Sequence, residues 1–165
     1  MLRAMTQPPS APRDVLENKR LDQALILLIE HQITFNQVLG LKVMSLRPGL
    51  QLRFDMRSEL VGHHMYGRLH GGVIASTLDA IGGCALMVAM VDKHPADSVE
   101  QAMGRFSKLG TIDMRVDFLR PGLGEHFLAS AEVTRLGGRV GSTLMRLHSD
   151  QNMLVATAAG SYIVS

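Results

Sequence analysis

The sequence has one cysteine, Cys84, and no tryptophan, and aromatic residues make up only 4% of its 165 positions. A single thiol excludes an intrachain disulfide framework and a thiolate-rich metal site, and makes a reducing compartment the default expectation. So few aromatics, with no basic run, leave no stacking platform for nucleic acid. Charge is balanced too: 17 Lys and Arg against 15 Asp and Glu give +2, only a faint bias toward anionic ligands. Met1 to Arg13 lacks the apolar segment of a signal peptide. No window reaches the length of a membrane span; the strongest, Cys84 to Val91, is too short. A soluble cytoplasmic protein is expected, with neither membrane nor nucleic acid as partner. What is abundant is aliphatic: 46% apolar residues and 11 methionines predict one ordinary globular domain with an adaptable, thioether-rich core.

The chain is organised around Leu69-His70-Gly71-Gly72 and its continuation to about Val91. Read as a helix starting near Gly71, it carries Val73, Ile74, Thr77, Leu78, Ile81, Cys84, Ala85 and Val88 at helical spacing as one apolar stripe. Its other face is Gly72, Ala75, Ser76, Asp79, Gly82 and Gly83, small residues around one carboxylate. Glycine inside a helix costs roughly 1 kcal/mol relative to alanine, so this face is read as giving up stability for access.

Before it, residues 1–13 with their three prolines form a mobile lead-in. Asp14 and Glu17 make a capping box for an amphipathic helix over about 15–31. A second short helix starts at Thr34, with Gln37 in the reciprocal position, and stops at Gly40. A strand over 41–46, a turn at Arg47-Pro48-Gly49, and the alternation of Leu50, Leu52, Phe54 and Met56 with polar residues predict a hairpin. A polar loop, 57–68, carries His63, His64 and Tyr66. After the central helix, 92–108 shows no period and reads as a long, partly mobile connection. Four strands follow, about 111–118, 125–135, 139–148 and 153–164, separated by Gly, Pro and Asn turns. The first of them sets Ile112, Met114, Val116 and Phe118 as its apolar face. The fold class is α+β, about six mainly antiparallel strands covered by one long helix.

A helix start offers unpaired N–H groups, and glycine at 71 and 72 leaves them sterically open to an acyl carbonyl; the same tripeptide also suits a plain glycine-rich helix start. Asp79 is candidate general base or nucleophile, or a hydrogen-bonded structural carboxylate. Nine residues separate it from His70, roughly 13 Å along a helix, too far for one small reacting group to touch both ends. A two-fold dimer sharing the site between subunits resolves this. His63, His64 and His70 lack a carboxylate or cysteine at ligand spacing, so no metal is expected. Ser76, between Ala75 and Thr77, is no nucleophile elbow. Arg120, and Gly138 with Arg139, suit a phosphate or a solvated strand end.

His70-Gly71-Gly72 with Asp79, the order of elements and the later Gly110-Thr111-Ile112-Asp113 strand resemble the hotdog-fold acyl-CoA thioesterases of the phenylacetate-pathway (PaaI-like) type, over about 33–164. The resemblance implies a sheet wrapped round the central helix, dimerising through an edge strand and often tetrameric. It implies a homodimer or homotetramer that hydrolyses an acyl-CoA to a carboxylate and CoA without a metal or redox cofactor. In that family the acid at Asp79 is general base or nucleophile, Gly71 N–H donates to the thioester oxygen, and His70 orients the loop or contacts the thioester. Thr111 positions water, and Gly72, Arg120, Gly138 and Arg139 fall in regions that meet CoA. One departure is His64, where relatives carry Asn or Gln; an imidazole donor there implies pH dependence. The hotdog domain is then 33–165, and 1–32 is an extension that covers the pocket or serves an oligomer contact. The rival reading is a non-catalytic acyl-CoA-binding or regulatory hotdog module. A hotdog dehydratase is disfavoured by the spacing of its acid and histidine.

Overall fold

The computed structural model describes residues 11–165; the N-terminal stretch of the proposed lead-in, 1–10, lies outside them. Helix α1 (Val15–Leu27) starts as its capping box predicts: the Glu17 N–H donates to Asp14 Oδ1 at 2.8 Å and the Asp14 N–H donates back to the Glu17 carboxylate. Leu21, Leu25 and Ile29, four residues apart, are buried. The predicted helix to residue 31 is α-helical only to Leu27, then widens into a π-turn at Leu28–Gln32. Helix α2 (Thr34–Leu39) ends at Gly40, whose φ of 74° favours glycine. It begins without a side-chain cap, because Ile33 holds the cap position and Gln37 donates instead to the His31 carbonyl.

Strands β1 (Lys42–Ser45) and β2 (Gln51–Asp55) form the expected antiparallel hairpin, with Leu50, Leu52 and Phe54 buried. The stretch read as a polar loop has structure of its own. A 3-10 turn at Ser58–Leu60 leads into a small hairpin of β3 (Val61–His63) and β4 (Arg68–Leu69), anchored by buried Leu60 and Leu69. Strands of three and two residues are too short to show a period, which is why the sequence hid them.

The central helix α3 (Gly71–Lys93) buries Ile74, Thr77, Leu78, Ile81, Cys84, Ala85 and Val88 as predicted. The expectation that no segment reaches membrane-span length is corrected, since this helix is long and apolar enough by length and composition to cross a bilayer; 61% of its most apolar 18-residue window is buried within the fold. The connection after it is likewise not structureless. Helix α4 (Val99–Arg105) carries its own capping box from Ser98 and Gln101, and a 3-10 turn at Phe106–Lys108 follows. Ala102 and Phe106 are buried.

The last four strands are β5 (Gly110–Phe118), β6 (His126–Leu136), β7 (Val140–Ser149) and β8 (Leu154–Ile163). All six long strands form one antiparallel sheet, ordered β1-β2-β6-β7-β8-β5. Its inner face packs on α3: Phe54 and Phe127 are direct cross-strand partners with ring centroids 5.3 Å apart, and Met145, Leu147 and Ala156 extend the layer. Burying each leucine-sized side chain in such a layer contributes about 1.5–3 kcal/mol. This is the expected α+β fold with an extra N-terminal helix.

The N-terminal helix is tied to the rest by charge as well as packing. Arg13 donates to the carbonyls of Val91, His94 and Asp97, closing the C-terminal end of α3. Arg47 joins Asp22 of α1 to Asp92 of α3.

Candidate active site

Asp79 sits on the third turn of α3, half-buried, and opens into a cleft of about 310 Å³. Thr111 Oγ1 donates to Asp79 Oδ1 at 2.8 Å. The polar alternation along β5 would have turned Thr111 outward with Asp113 and Arg115. A β-bulge at Ile112 reverses this, pairing Thr111 with Tyr162 on the helix-facing side of the sheet. The same bulge leaves Ile112, expected in the core, 57% exposed.

Tyr162, which the sequence does not mark out as a site residue, forms the back of the site. Its hydroxyl donates to the Asp79 main-chain carbonyl at 3.3 Å. Burial, and then the charge of Asp79, push the phenol pKa up, so it stays protonated as a donor. The hydroxyl fits because residue 82 is glycine: a Cβ there would meet it at 2.3 Å. Gly82 therefore serves internal packing, which corrects its reading as a position kept small for access. Gly83 does line the cleft. Further lining comes from Cys84 and Met87 of α3, Leu109 before β5, and Ile33, Phe35 and Asn36 of the α2 segment.

At the helix start, His70 is the N-cap, with φ −66° and ψ 138°, and its Nδ1 accepts the Gly72 N–H at 2.9 Å. Nδ1 therefore carries no proton in this arrangement. The bond ties the imidazole to the backbone of the helix start and occupies the Gly72 N–H. The Gly71 N–H has no acceptor among the described residues. The loop is held from behind, His70 N–H donating to the Leu60 carbonyl and Leu69 N–H to that of Gly122.

The predicted residues do not all meet within one chain. Gly71 lies against Phe118, whose Cε1 is 3.5 Å from where a Gly71 side chain would begin, while Asp79 contacts Thr111 at the opposite end of β5. His64 is exposed, its ring stacked on His63 at a centroid distance of 5.7 Å, and stands outside the Asp79 cleft. Arg120 follows the Phe118 end of β5 and donates to the Leu154 carbonyl at 3.0 Å. Gly138 and Arg139 lie at the other end, beside Gly110 through the pairing of Ile163 with both Gly110 and Val140. The two regions proposed for CoA are thus separated by the length of the strand. Among the described residues no group of three or more His, Cys, Asp or Glu could hold a metal ion.

Comparison with known proteins identifies the family and the fold. A sequence profile of the thioesterase superfamily matches residues 66–156, from the β3–β4 hairpin into β8. The medium/long-chain acyl-CoA thioesterase YigI of Escherichia coli K12 is 36% identical over 147 residues, covering 87% of this chain and 95% of that protein. A crystal structure of a Shewanella oneidensis protein related to the thioesterase superfamily superposes with a TM-score of 0.84 at 33% identity, covering 93% of this chain and all of that one. Mouse thioesterase superfamily member 2, at 18% identity and a TM-score of 0.68, shares the fold. With the profile spanning more than half its length and the sequence likeness nearly all of it, the chain belongs to the thioesterase superfamily of hotdog-fold thioester hydrolases.

Proposed function

We propose that the protein hydrolyses acyl-CoA thioesters in a site shared by two copies of the chain. Asp79 acts as general base, taking a proton from the water that attacks the thioester carbonyl and passing it to the departing sulfur, or as nucleophile, forming an acyl anhydride that water then opens. Thr111 holds its Oδ1 so that the other oxygen faces the cleft. The developing oxyanion is received by the free N–H of Gly71 from the twin subunit, with His70 fixing that loop. Such a donor contributes on the order of 100- to 1000-fold in rate. The thiol of CoA leaves with a proton and the acyl group departs as a carboxylate; no step requires a metal or redox cofactor. Residues 33–165 make up the thioesterase unit, and the preceding segment packs on it. A medium or long acyl chain, as the name of the E. coli relative states for that protein, suits the apolar walls of the cleft.

The observation that carries this reading is the arrangement along β5. It is an edge strand with one side unpaired, and its apolar Ile112 and Phe118 are 57% and 56% exposed. If two copies extend the sheet through β5 by a two-fold axis, the strands run antiparallel, so the Phe118 end of one meets the Thr111 end of the other. That brings each Gly71 to the partner's Asp79.

The test uses two variants that should each be inactive, Asp79→Ala and Gly71→Pro. Proline suits the first helical position and replaces the N–H by a ring carbon, its Cβ meeting Phe118 at an ordinary 3.5 Å, and the extended ψ of His70 suits a following proline. Each alone should release no free thiol from acyl-CoA. Mixed and allowed to exchange subunits, they should regain activity, since the hybrid holds one intact site. Failure of the mixture to recover, with hybrids shown to form, would rule out the shared site. Tight acyl-CoA binding without thiol release by the unmodified protein would point to the non-catalytic module instead.

A further inference from the structure

Thr111 and Tyr162 are direct partners across the β5–β8 ladder, and both reach the same residue of α3. Thr111 Oγ1 donates to the Asp79 carboxylate, and the Tyr162 hydroxyl to the Asp79 main-chain carbonyl. The helix itself gives that carbonyl one donor, the Gly83 N–H. The phenol is a second donor, and it comes from the sheet. Immediately after this turn stand Gly82 and Gly83, residues that weaken a helix interior.

The phenol sits in a niche that glycines leave open. A Cβ at Gly82 would meet the hydroxyl at 2.3 Å, and one at Gly160 of β8 would meet Cε2 at 2.9 Å and the hydroxyl at 3.0 Å. Tyr162 fills this space so fully that it is 1% exposed. A phenylalanine ring would fill it as well, so packing accounts for the ring and not for the hydroxyl. A buried hydroxyl is costly unless it is bonded. Here its one proton goes to the residue that carries the carboxylate of the cleft. The buried Thr143 of β7 flanks the hydroxyl, its Oγ1 3.0 Å from the same Gly82 Cβ position.

We infer that Tyr162 is a positioning residue for Asp79. Its hydroxyl holds the main chain of this helix turn against the sheet, while Thr111 holds one carboxylate oxygen and leaves the other aimed into the cleft. Two donors from paired positions on neighbouring strands thus fix Asp79 at both ends of its side chain. With either bond removed, the residue is held at one end only, and a displacement of about 1 Å at a reacting group costs up to about a hundredfold in rate. The catalytic consequence rests on the acyl-thioester reading above; the clamp itself does not.

The test is Tyr162→Phe, which keeps the ring and its niche and removes the hydroxyl. Its kcat for acyl-CoA should fall about tenfold or more with KM almost unchanged. Combined with Thr111→Val, the loss should be far smaller than the product of the two single losses, because both act through one residue. An unchanged kcat, or losses that multiply, overturns the inference. Amide exchange is followed in parallel and should accelerate over 79–83 but not over 91–97; unchanged exchange over 79–83 also overturns it. Local acceleration in Tyr162→Phe, beside an unmodified protein that releases no thiol, upholds the clamp and counts against hydrolysis alone, so the two readings fail separately.

Discussion

Thr111 Oγ1 and Asp79 Oδ1, 2.8 Å apart, join the edge strand of the sheet to the third turn of the central helix. A hydroxyl donating to an ionised carboxylate contributes roughly 1.5–3 kcal/mol. Thr111→Val keeps the shape and removes the donor. It should lower kcat on the order of tenfold to a hundredfold with little change in KM, as read by thiol release under saturating acyl-CoA. A change confined to KM would place Thr111 in substrate binding instead.

Neighbouring glycines in α3 should respond in opposite ways. An alanine Cβ at Gly82 would lie 2.3 Å from the Tyr162 hydroxyl and 3.0 Å from Thr143 Oγ1. Overpacking of this kind costs about 1–3 kcal/mol, and thermal unfolding of Gly82→Ala should move down accordingly. At Gly83 the nearest atom is 3.8 Å away, so Gly83→Ala should keep or raise the melting temperature through helix propensity, by up to about 1 kcal/mol. Equal destabilisation by the two substitutions would contradict the packing described.

Cys84 is buried in the apolar stripe, and burial, followed by the charge of Asp79, pushes its thiol pKa up to about 12. Raised from 9.0, it leaves on the order of a thousandfold less thiolate at neutral pH than a free cysteine. Maleimide labelling should be negligible in the native protein and complete in denaturant. The same shift affects stability. The native state holds this proton after the unfolded chain has lost it, so the contribution is full below pH 9 and declines as pH rises toward 12. Denaturant titrations of Cys84→Ala should show a shallower loss of stability across that window.

Arg13 donates to three carbonyls at the C-terminal end of α3 and beyond it. Arg13→Ala should destabilise the fold by about 1–3 kcal/mol. Faster amide exchange is expected over 91–97, while exchange at the Asp79 turn stays unchanged. Uniform acceleration along the helix would show that the clamp is not local.

Much of this molecule can be read from its residues, and the exceptions share a cause. The capping box of α1, the β1–β2 hairpin and the buried stripe of α3 declare themselves because each is a local pattern repeated over several turns or alternations. Helix α4 carries an equally good box in Ser98 and Gln101, but seven residues containing Gly104 show too little apolar period to confirm it. Family likeness points to Asp79 and to Thr111 separately, but not to the hydrogen bond between them, and the bulge at Ile112 that makes it possible contradicts simple alternation. Gly82 looks like a concession to a ligand until Tyr162, eighty residues on, is found occupying the space. The separation of Arg120 from Gly138 depends on strand register, which no short stretch encodes.

The placement of Gly71 and Asp79 at opposite ends of β5 has a consequence for how activity depends on abundance. If the site is shared between two copies as proposed, a newly made polypeptide folds with both Asp79 and Gly71 present and is still inert until it meets another copy. Specific activity should therefore climb with protein concentration at high dilution and level off once encounters outpace separation, giving the cell a threshold that depends on expression alone.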